Sequence, residues 1–406
     1  MGKHLVLVGG GHAHMVTLAN LHQFIEKGHR VTVVGPSEYH YYSGMGPGML
    51  GGTYTPEEIR FATRLVVERK GGVFVKGRAV RIDPDKRVIS LESGATISYD
   101  LLSCNTGSYV PSSTICSPYM PNKDIFSVKP IEKLMDAKKA FIAKLSQNRL
   151  KTVSIIGGGP SSAEIAGNVW QLAVNYCTMN STDSDSKNII ADSKNFEIQN
   201  SHIVPYIKNM IPQINIFAGK KFMSNFPENI RRMVVTTMKN RGVHIFEEGY
   251  VKRIDNDYIV VGSGSRYQSD FIFIALGIKP SDIFKESGLP IGPDQGLLVN
   301  KFLQSTRYPE IFGGGDCIYF KDSPLDKVGV YAVRQNPVLF HNLMACLDNQ
   351  PLQQFNSGEE YLLVFNLGGG YGVLKKKWFS LKGRPAFIVK DLIDRKFMKR
   401  FQALEE

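Results

Sequence analysis

Two groups of residues in this sequence have the types and spacing for nucleotide chemistry. Gly9-Gly10-Gly11-His12-Ala13-His14 follows the apolar run His4-Leu5-Val6-Leu7-Val8. Gly157-Gly158-Gly159-Pro160-Ser161-Ser162 follows a second run, Val153-Ser154-Ile155-Ile156. Glycine between a buried strand and a helix permits a tight turn and lets backbone amides approach a pyrophosphate. The helix N-terminus adds a dipole that favours the anion. Gly9, Gly11, Gly157, Gly159 and Ser161 are therefore candidate phosphate-binding residues. One such loop is a weak signal. Two of them, each between strand and helix, point to two dinucleotides or to two halves of one two-dinucleotide enzyme.

Both loops depart from the G-x-G-x-x-G pattern at its third glycine, which is His14 in one and Ser162 in the other. A larger side chain there is expected to push helix and strand slightly apart. The acidic residue that reads a ribose diol after the next strand is also missing. The first half offers Ser37, in Val34-Gly35-Pro36-Ser37, for a ribose hydroxyl. The second half offers Ala218-Gly219-Lys220-Lys221. Two lysines without a carboxylate suit a 2′-phosphate better than a free hydroxyl. That favours NADPH over NADH and leaves open that no nicotinamide binds. His12 and His14 point apart at this spacing, so no metal is expected. His12 is placed facing the pyrophosphate.

The elements that must hold these loops repeat. His4–Val8, a helix over 12–27 capped by Gly28, and Arg30–Val34 begin a βαβ unit. Lys151–Ile156, a helix over 161–176 and Ile214–Phe217 begin another. After each come shorter apolar segments: 73–75, 87–91 and 97–103 in the first half, then 243–246, 258–261 and 271–275. These read as strands of a small sheet in each half. A polar tract at about 178–210 reads as an insertion. The expected fold is α/β, with two Rossmann-like dinucleotide-binding domains, each a parallel sheet flanked by helices plus a small antiparallel sheet, and a C-terminal appendage. Composition agrees: 43% hydrophobic and 21% charged residues exclude a disordered or fibrous chain. No run of about 18 apolar residues occurs, so no transmembrane helix is expected. The start, Met1-Gly2-Lys3-His4, lacks the pattern of a signal peptide, and a reducing cytoplasm is the simplest compartment.

The most specific segment is Ser305-Thr306-Arg307-Tyr308-Pro309-Glu310-Ile311-Phe312-Gly313-Gly314-Gly315-Asp316. It resembles the second FAD signature of the pyridine nucleotide-disulfide oxidoreductase superfamily. Tyr99-Asp100-Leu101-Leu102-Ser103-Cys104-Asn105-Thr106-Gly107-Ser108 is similar to that family's Y-D-x-L-x-x-A-T-G-S turn, with Asn105 replacing alanine. Ala275-Leu276-Gly277-Ile278-Lys279-Pro280 and Gly77–Asp83 resemble two further family segments. The resemblance implies FAD as cofactor and NAD(P)H as co-substrate. It implies that Asp316, with Gly315, holds the flavin ribityl chain. It places Thr106, Gly107, Pro47 and Val80 along FAD, Gly277 at the nicotinamide dinucleotide, and Glu164 near both rings.

Three stretches, 42–48, 332–337 and 391–400, resemble the branch of type II NADH dehydrogenases and sulfide:quinone oxidoreductases. They are most similar to the FAD oxidoreductase domain fused to selenophosphate synthase. In that branch the segment matching Tyr331–Gln335 leads from flavin to quinone, which implies roles for Arg334 and Gln335 at an acceptor pocket. The implied division is 1–112 with 276–345 for FAD, 113–150 as connection, 151–275 for NAD(P), and 346–406 as a membrane- and quinone-facing segment.

The five cysteines, 104, 116, 177, 317 and 346, include no C-x-x-C pair. That excludes a thioredoxin-like motif or zinc ribbon. Sulfide or other chalcogen oxidation would need Cys317 and Cys346 beside the flavin. A buried free cysteine is more often a small hydrophobe. The default is direct hydride transfer from NAD(P)H to flavin, then electrons to a quinone-like acceptor. A flavin-binding redox sensor with little turnover is the alternative of another class.

The formal charge is +12. Ten basic and two acidic residues lie between 375 and 400, so most of the excess is local. Ala386–Phe401 reads as a basic amphipathic helix with Val389, Ile393, Phe397 and Phe401 on its apolar stripe, behind a Trp378-Phe379 hairpin. Such a segment suits an anionic membrane surface, here the inner face of the cell membrane. No recognition motif for nucleic acid occurs. A homodimer stays open.

Overall fold

The computed structural model describes residues 2–116, 124–180, 210–255 and 258–406. Most of the polar tract expected at 178–210 lies outside the described residues.

Two parallel sheets of five strands organise the chain. The first runs Ile311–Gly313, Leu101–Cys104, His4–Val8, Arg30–Gly35, Val73–Lys76. Every residue of His4–Val8 is buried, as expected where helices cover both faces of a parallel sheet. The second runs Ile125–Ser127, Phe271–Ile274, Thr152–Ile156, Gln213–Phe217, His244–Phe246. In each sheet the central strand ends in a glycine loop, so the duplication read from the sequence is present in space.

Each half also carries a three-stranded antiparallel sheet. One comprises Ala79–Asp83, Val88–Leu91 and Thr96–Ser98; the other Val251–Asp255, Tyr258–Val261 and Arg266–Gln268. Two expectations about these need correction. Val73–Lys76 and His244–Phe246 belong to the edges of the parallel sheets, paired with Arg30–Gly35 and Gln213–Phe217, and the segment expected at 271–275 is the strand Phe271–Ile274 inside the second parallel sheet, between Ile125–Ser127 and Thr152–Ile156. The continuous strand expected over 97–103 is two strands in two sheets. The chain changes sheet at Tyr99-Asp100, where the Asp100 carboxylate accepts from the His4 amide at 2.6 Å. The second half uses the same device: Asp270 accepts from the Lys151 and Thr152 amides, both at 2.8 Å. A carboxylate at the start of each central strand thus fixes where antiparallel sheet gives way to parallel.

The helix expected over 12–27 is also interrupted. A 3₁₀ turn, His12–His14, leads to Met15–Ala19 and His22–Glu26. Asn20 lies at the break, and its side chain donates to Val16 O at 2.9 Å, a local bond that competes with helix propagation. Gly28 ends the segment at φ +80°, as expected of a C-terminal glycine.

The C-terminal unit is a three-stranded antiparallel sheet, Leu363–Asn366, Gly372–Lys376 and Phe379–Gly383, followed by the helix Arg384–Gln402. Its approach to the second half is backbone-close. A Cβ on Gly167, in the helix Pro160–Met179, would lie 1.9 Å from Leu367 O. Arg241 stacks over Trp170 at 4.2 Å and donates to the carbonyls of Leu367 and Gly368. The stripe expected on the last helix is rotated. Its buried residues are Ala386, Lys390, Asp394, Met398 and Phe401, while Ile393 is 48% exposed. The reason is polar: the inward face carries a paired lysine and aspartate rather than aliphatic residues. No helix among the described residues is long and apolar enough to cross a membrane.

Candidate functional site

A single cavity of about 1160 Å³ runs from the first glycine loop to the second and reaches the C-terminal helix. Of the expected site residues, Gly9, Gly11, His12, Ser37, Pro47, Thr106, Gly107, Gly315, Asp316, Gly157, Gly159, Ser161, Gly277 and Glu164 all line it.

The first loop is built for close approach. Gly9 has φ +94°, and a Cβ there would lie 2.1 Å from Asn105 O. His14, fully buried, turns inward. Its ring bridges Gly9 O at 2.6 Å and Ser103 Oγ at 2.8 Å, so it bolts the loop to the sheet. The substitution of the third glycine is thus compensated by two hydrogen bonds. In the second loop, Gly157 has φ +149° and its Cβ would lie 2.2 Å from Ala275 O.

Three buried polar atoms around the first loop have no protein partner: His12 Nε2, Asn105 Nδ2 and Thr106 Oγ1. All three residues line the cavity. Buried polar atoms are nearly always paired, so these fit a bound polyanion with hydroxyl groups. His12 also hydrogen-bonds His40 through Nδ1 at 3.1 Å. Burial lowers both rings, His12 to about 4 and His40 to about 3. The pair is neutral at pH 7.

Asp316 is held by Ser108 Oγ at 2.7 Å and Lys129 Nζ at 2.9 Å. Burial alone would raise its carboxyl. The Lys129 charge and the two hydrogen bonds outweigh this and hold it below the usual carboxylate range. An ionised aspartate with free lone pairs suits a polyol.

Glu164 sits in the first turns of Pro160–Met179. Its Oε1 accepts from the Asn366 amide at 2.9 Å. Burial raises its carboxyl to about 7, against the opposing pull of Lys390. Lys390 lines the same cavity from the C-terminal helix. It pairs with Asp394 at 2.5 Å and donates to Gly44 O at 2.7 Å.

Five expected residues lie elsewhere. Val80 does not line the cavity; Gly77, Arg78 and Ala79, at the turn into the strand Ala79–Asp83, do. Gln335 is buried behind the cavity wall, where its Oε1 accepts from the Gly315 amide at 2.6 Å. Arg334 turns away and donates to the carbonyls of Ser357 and Glu359. Cys317 is fully buried behind Asp316, and Cys346 lies near the end of the helix Gly329–Leu347; neither lines the cavity. Burial pushes both thiols up, away from the thiolate that sulfur chemistry needs.

Sequence reasoning missed His40, Lys129, Tyr250 and Lys390. Lys390 had a legible signal, the i, i+4 pairing with Asp394, but it was submerged in the basic run. The others come from segments with no motif.

Comparison with known proteins accords with this geometry. The pyridine nucleotide-disulphide oxidoreductase family matches residues 3–342. The type II NADH:quinone oxidoreductase of Staphylococcus saprophyticus is 22% identical, over 97% of this chain and 94% of that protein. Among solved structures, NDH2 of Plasmodium falciparum, in complex with NADH, superposes with TM-score 0.77 at 14% identity, covering 99% of this chain and 98% of that one. The sulfide:quinone oxidoreductase of Aquifex aeolicus superposes with TM-score 0.72 at 16% identity, covering 99% and 92%. The match across both glycine loops and the Asp316 turn makes this chain an FAD-dependent oxidoreductase of the pyridine nucleotide-disulphide oxidoreductase family.

Proposed function

We propose that this chain oxidises a reduced nicotinamide dinucleotide and passes the electrons to a quinone-like acceptor at a membrane surface. The observation that carries the reading is the single cavity joining both glycine loops and the Glu164–Lys390 region. A two-dinucleotide site must bring its redox rings together, and a continuous cavity permits that.

In this reading residues 1–112 and 276–345 hold FAD and 151–275 hold the nicotinamide dinucleotide, while 346–406 face the acceptor. The Gly11 amide and the ring of His12 take the FAD pyrophosphate, while Gly9, whose amide donates to Val34 O at 2.8 Å, lets the loop turn. Ser37 and Ala79 lie along its adenosine, Asp316 along its ribityl chain, and Pro47, Thr106 and Gly107 along the remainder. Gly157, Gly159, Ser161 and Gly277 take the second dinucleotide. When bound, FAD accepts two electrons as hydride and yields them to a second acceptor. Glu164 holds or releases a proton at Oε2 near neutral pH, since Oε1 is engaged by Asn366. Lys390 supplies positive charge across the cavity from it.

Exposure in the C-terminal unit supports the membrane contact. Trp378 is 90% exposed, Leu392 64%, and Ile388, Ile393 and Phe379 nearly half. They share the C-terminal unit with exposed Lys396, Lys399 and Arg400. Apolar side chains beside lysines suit the interface of an anionic bilayer. The wall contains no cysteine, which weighs against chalcogen oxidation.

Steady-state assay of the flavin-loaded protein tests the reading. Consumption of reduced nicotinamide is expected to match reduction of a soluble quinone analogue mole for mole. Nicotinamide oxidation without quinone reduction would exclude a quinone as acceptor.

A further inference from the structure

His12 and His40 meet at the wall of the cavity from two elements. His12 opens the 3₁₀ turn after the first glycine loop, and His40 stands on the short strand His40–Tyr41, paired with Arg60–Phe61. His12 Nδ1 and His40 Nε2 are 3.1 Å apart. Both rings are fixed by packing. His12 lies against Phe397 at 5.7 Å with the planes 12° apart, against Tyr42 at 5.0 Å, and edge-on to His40 at 4.9 Å. His40 is stacked on Phe61 at 6.3 Å. Turning the His12 ring over would put a carbon against His40 and lose the bond, so Nε2 is the nitrogen left to face away from it. That atom is buried and has no protein partner.

Neutral rings make the pair directional. Burial is the largest influence on both and disfavours the charged form, so each ring carries one N–H. If His40 donates to His12, the His12 proton sits on Nε2. If His12 donates, its Nε2 is a bare lone pair. The neighbourhood decides between them. Asn105 Nδ2, a donor, is likewise buried without a partner, 3.6 Å from where Gly11 would carry a Cβ. A ligand that satisfies this amide offers acceptors, and a lone pair at His12 Nε2 would have nothing to give them. The Tyr42 hydroxyl does not set the ring instead, because it donates to Asp394 at 3.0 Å.

We propose that His40 is a positioning residue: it donates from Nε2 to His12 Nδ1 and so holds His12 as the Nε2–H tautomer, a neutral donor aimed at the FAD pyrophosphate. The proposal rests on the assignment of the first glycine loop to FAD. A neutral N–H avoids the desolvation that a buried imidazolium would suffer, and it adds no second cation beside Lys129 in the same cavity. His14, two residues on, is set the other way: its Nδ1 faces Gly9 O, which can only accept. The loop thus carries one histidine of each tautomer, each fixed by a different neighbour.

Two measurements on the full chain test it. The first is nitrogen NMR of FAD-loaded protein carrying 15N-histidine. The His12 signals, identified by their loss in His12→Phe, should report a proton on Nε2 and none on Nδ1, with His14 the reverse as an internal reference. A proton on His12 Nδ1, alone or together with one on Nε2, overturns the proposal. The second is a double-mutant cycle on the FAD dissociation constant, read from flavin fluorescence during titration of the apoprotein. His40→Phe should weaken FAD about tenfold, as loss of one hydrogen bond allows, and His40→Gln, which keeps a donor, should restore most of it. In a His12→Phe background, His40→Phe should change the constant by less than about twofold. Additive losses would mean that His40 only supports packing, and overturn the proposal. FAD bound by His12→Phe as tightly as by wild type overturns it too, whatever the turnover. If the Nε2–H ring and the coupled cycle are found, yet neither nicotinamide dinucleotide bleaches the flavin, hydride transfer fails and the role of His40 stands.

Discussion

Lys390 and Asp394 form a buried ion pair at 2.5 Å, one turn apart on the C-terminal helix, and Lys390 lines the same cavity as Glu164. The pair is tied to the first half through Lys390 to Gly44 O and through Tyr42 Oη, which donates to Asp394 at 3.0 Å. The C-terminal unit is therefore part of the site wall. Removing one member of a buried pair strands the other charge. Asp394→Asn is expected to lower stability by about 3–5 kcal/mol in denaturant unfolding. The double variant Lys390→Met, Asp394→Leu should regain most of it. Tyr42→Phe should cost less, about 1–3 kcal/mol.

Glu164 gives a pH prediction. Its folded-state carboxyl is raised to about 7. A raised acid binds its proton more tightly when folded, so stability falls as pH rises from the unfolded value of about 4.3 through 7. Glu164→Gln should flatten the change in Tm across that window. The rate of flavin reduction should show a matching inflection near 7 in wild type and lose it in the variant.

The Asp316 pocket predicts flavin retention. Asp316→Asn removes the charge that Lys129 and Ser108 hold in place. Loss of a charge-assisted contact is worth about 1.5–3 kcal/mol, so FAD should dissociate more readily by about tenfold or more. Flavin fluorescence during dilution reads this. Gly157→Ala, by contrast, should leave FAD bound and impair reduction by nicotinamide, because its Cβ would collide with Ala275 O.

Much of this was legible in sequence because glycine and aspartate carry backbone information. Gly9 and Gly157 have positive φ and no room for a Cβ, so their type reports the turn itself. The Asp316 turn resembles a known signature and lines the cavity. What was not legible depends on distant packing. Lys390 reaches Gly44 across 346 residues of sequence. The inward rotation of the last helix follows that pair, and an apolar stripe could not announce it. Gln335 and Arg334 were identified by resemblance, yet one braces the Gly315 amide and the other ties down 357–359. Val73–Lys76 pairs with the parallel sheet because of the chain's crossover, which periodicity does not record.

The exposed C-terminal patch predicts membrane affinity. Trp378→Ser and Leu392→Glu should each lower co-sedimentation with anionic vesicles, since an inserted large apolar side chain is worth about 2 kcal/mol. High salt should lower it further, each nearby lysine or arginine contributing about 1 kcal/mol. Neutral vesicles should recover less protein than anionic ones.

The central claim is transfer from nicotinamide to bound flavin and onward to a quinone. Anaerobic stopped-flow mixing measures both halves in one preparation. The flavin absorbance band is expected to bleach on adding reduced nicotinamide dinucleotide and to return on adding a quinone analogue. Persistence of the oxidised band with both NADPH and NADH, in protein shown to contain FAD, would contradict the account.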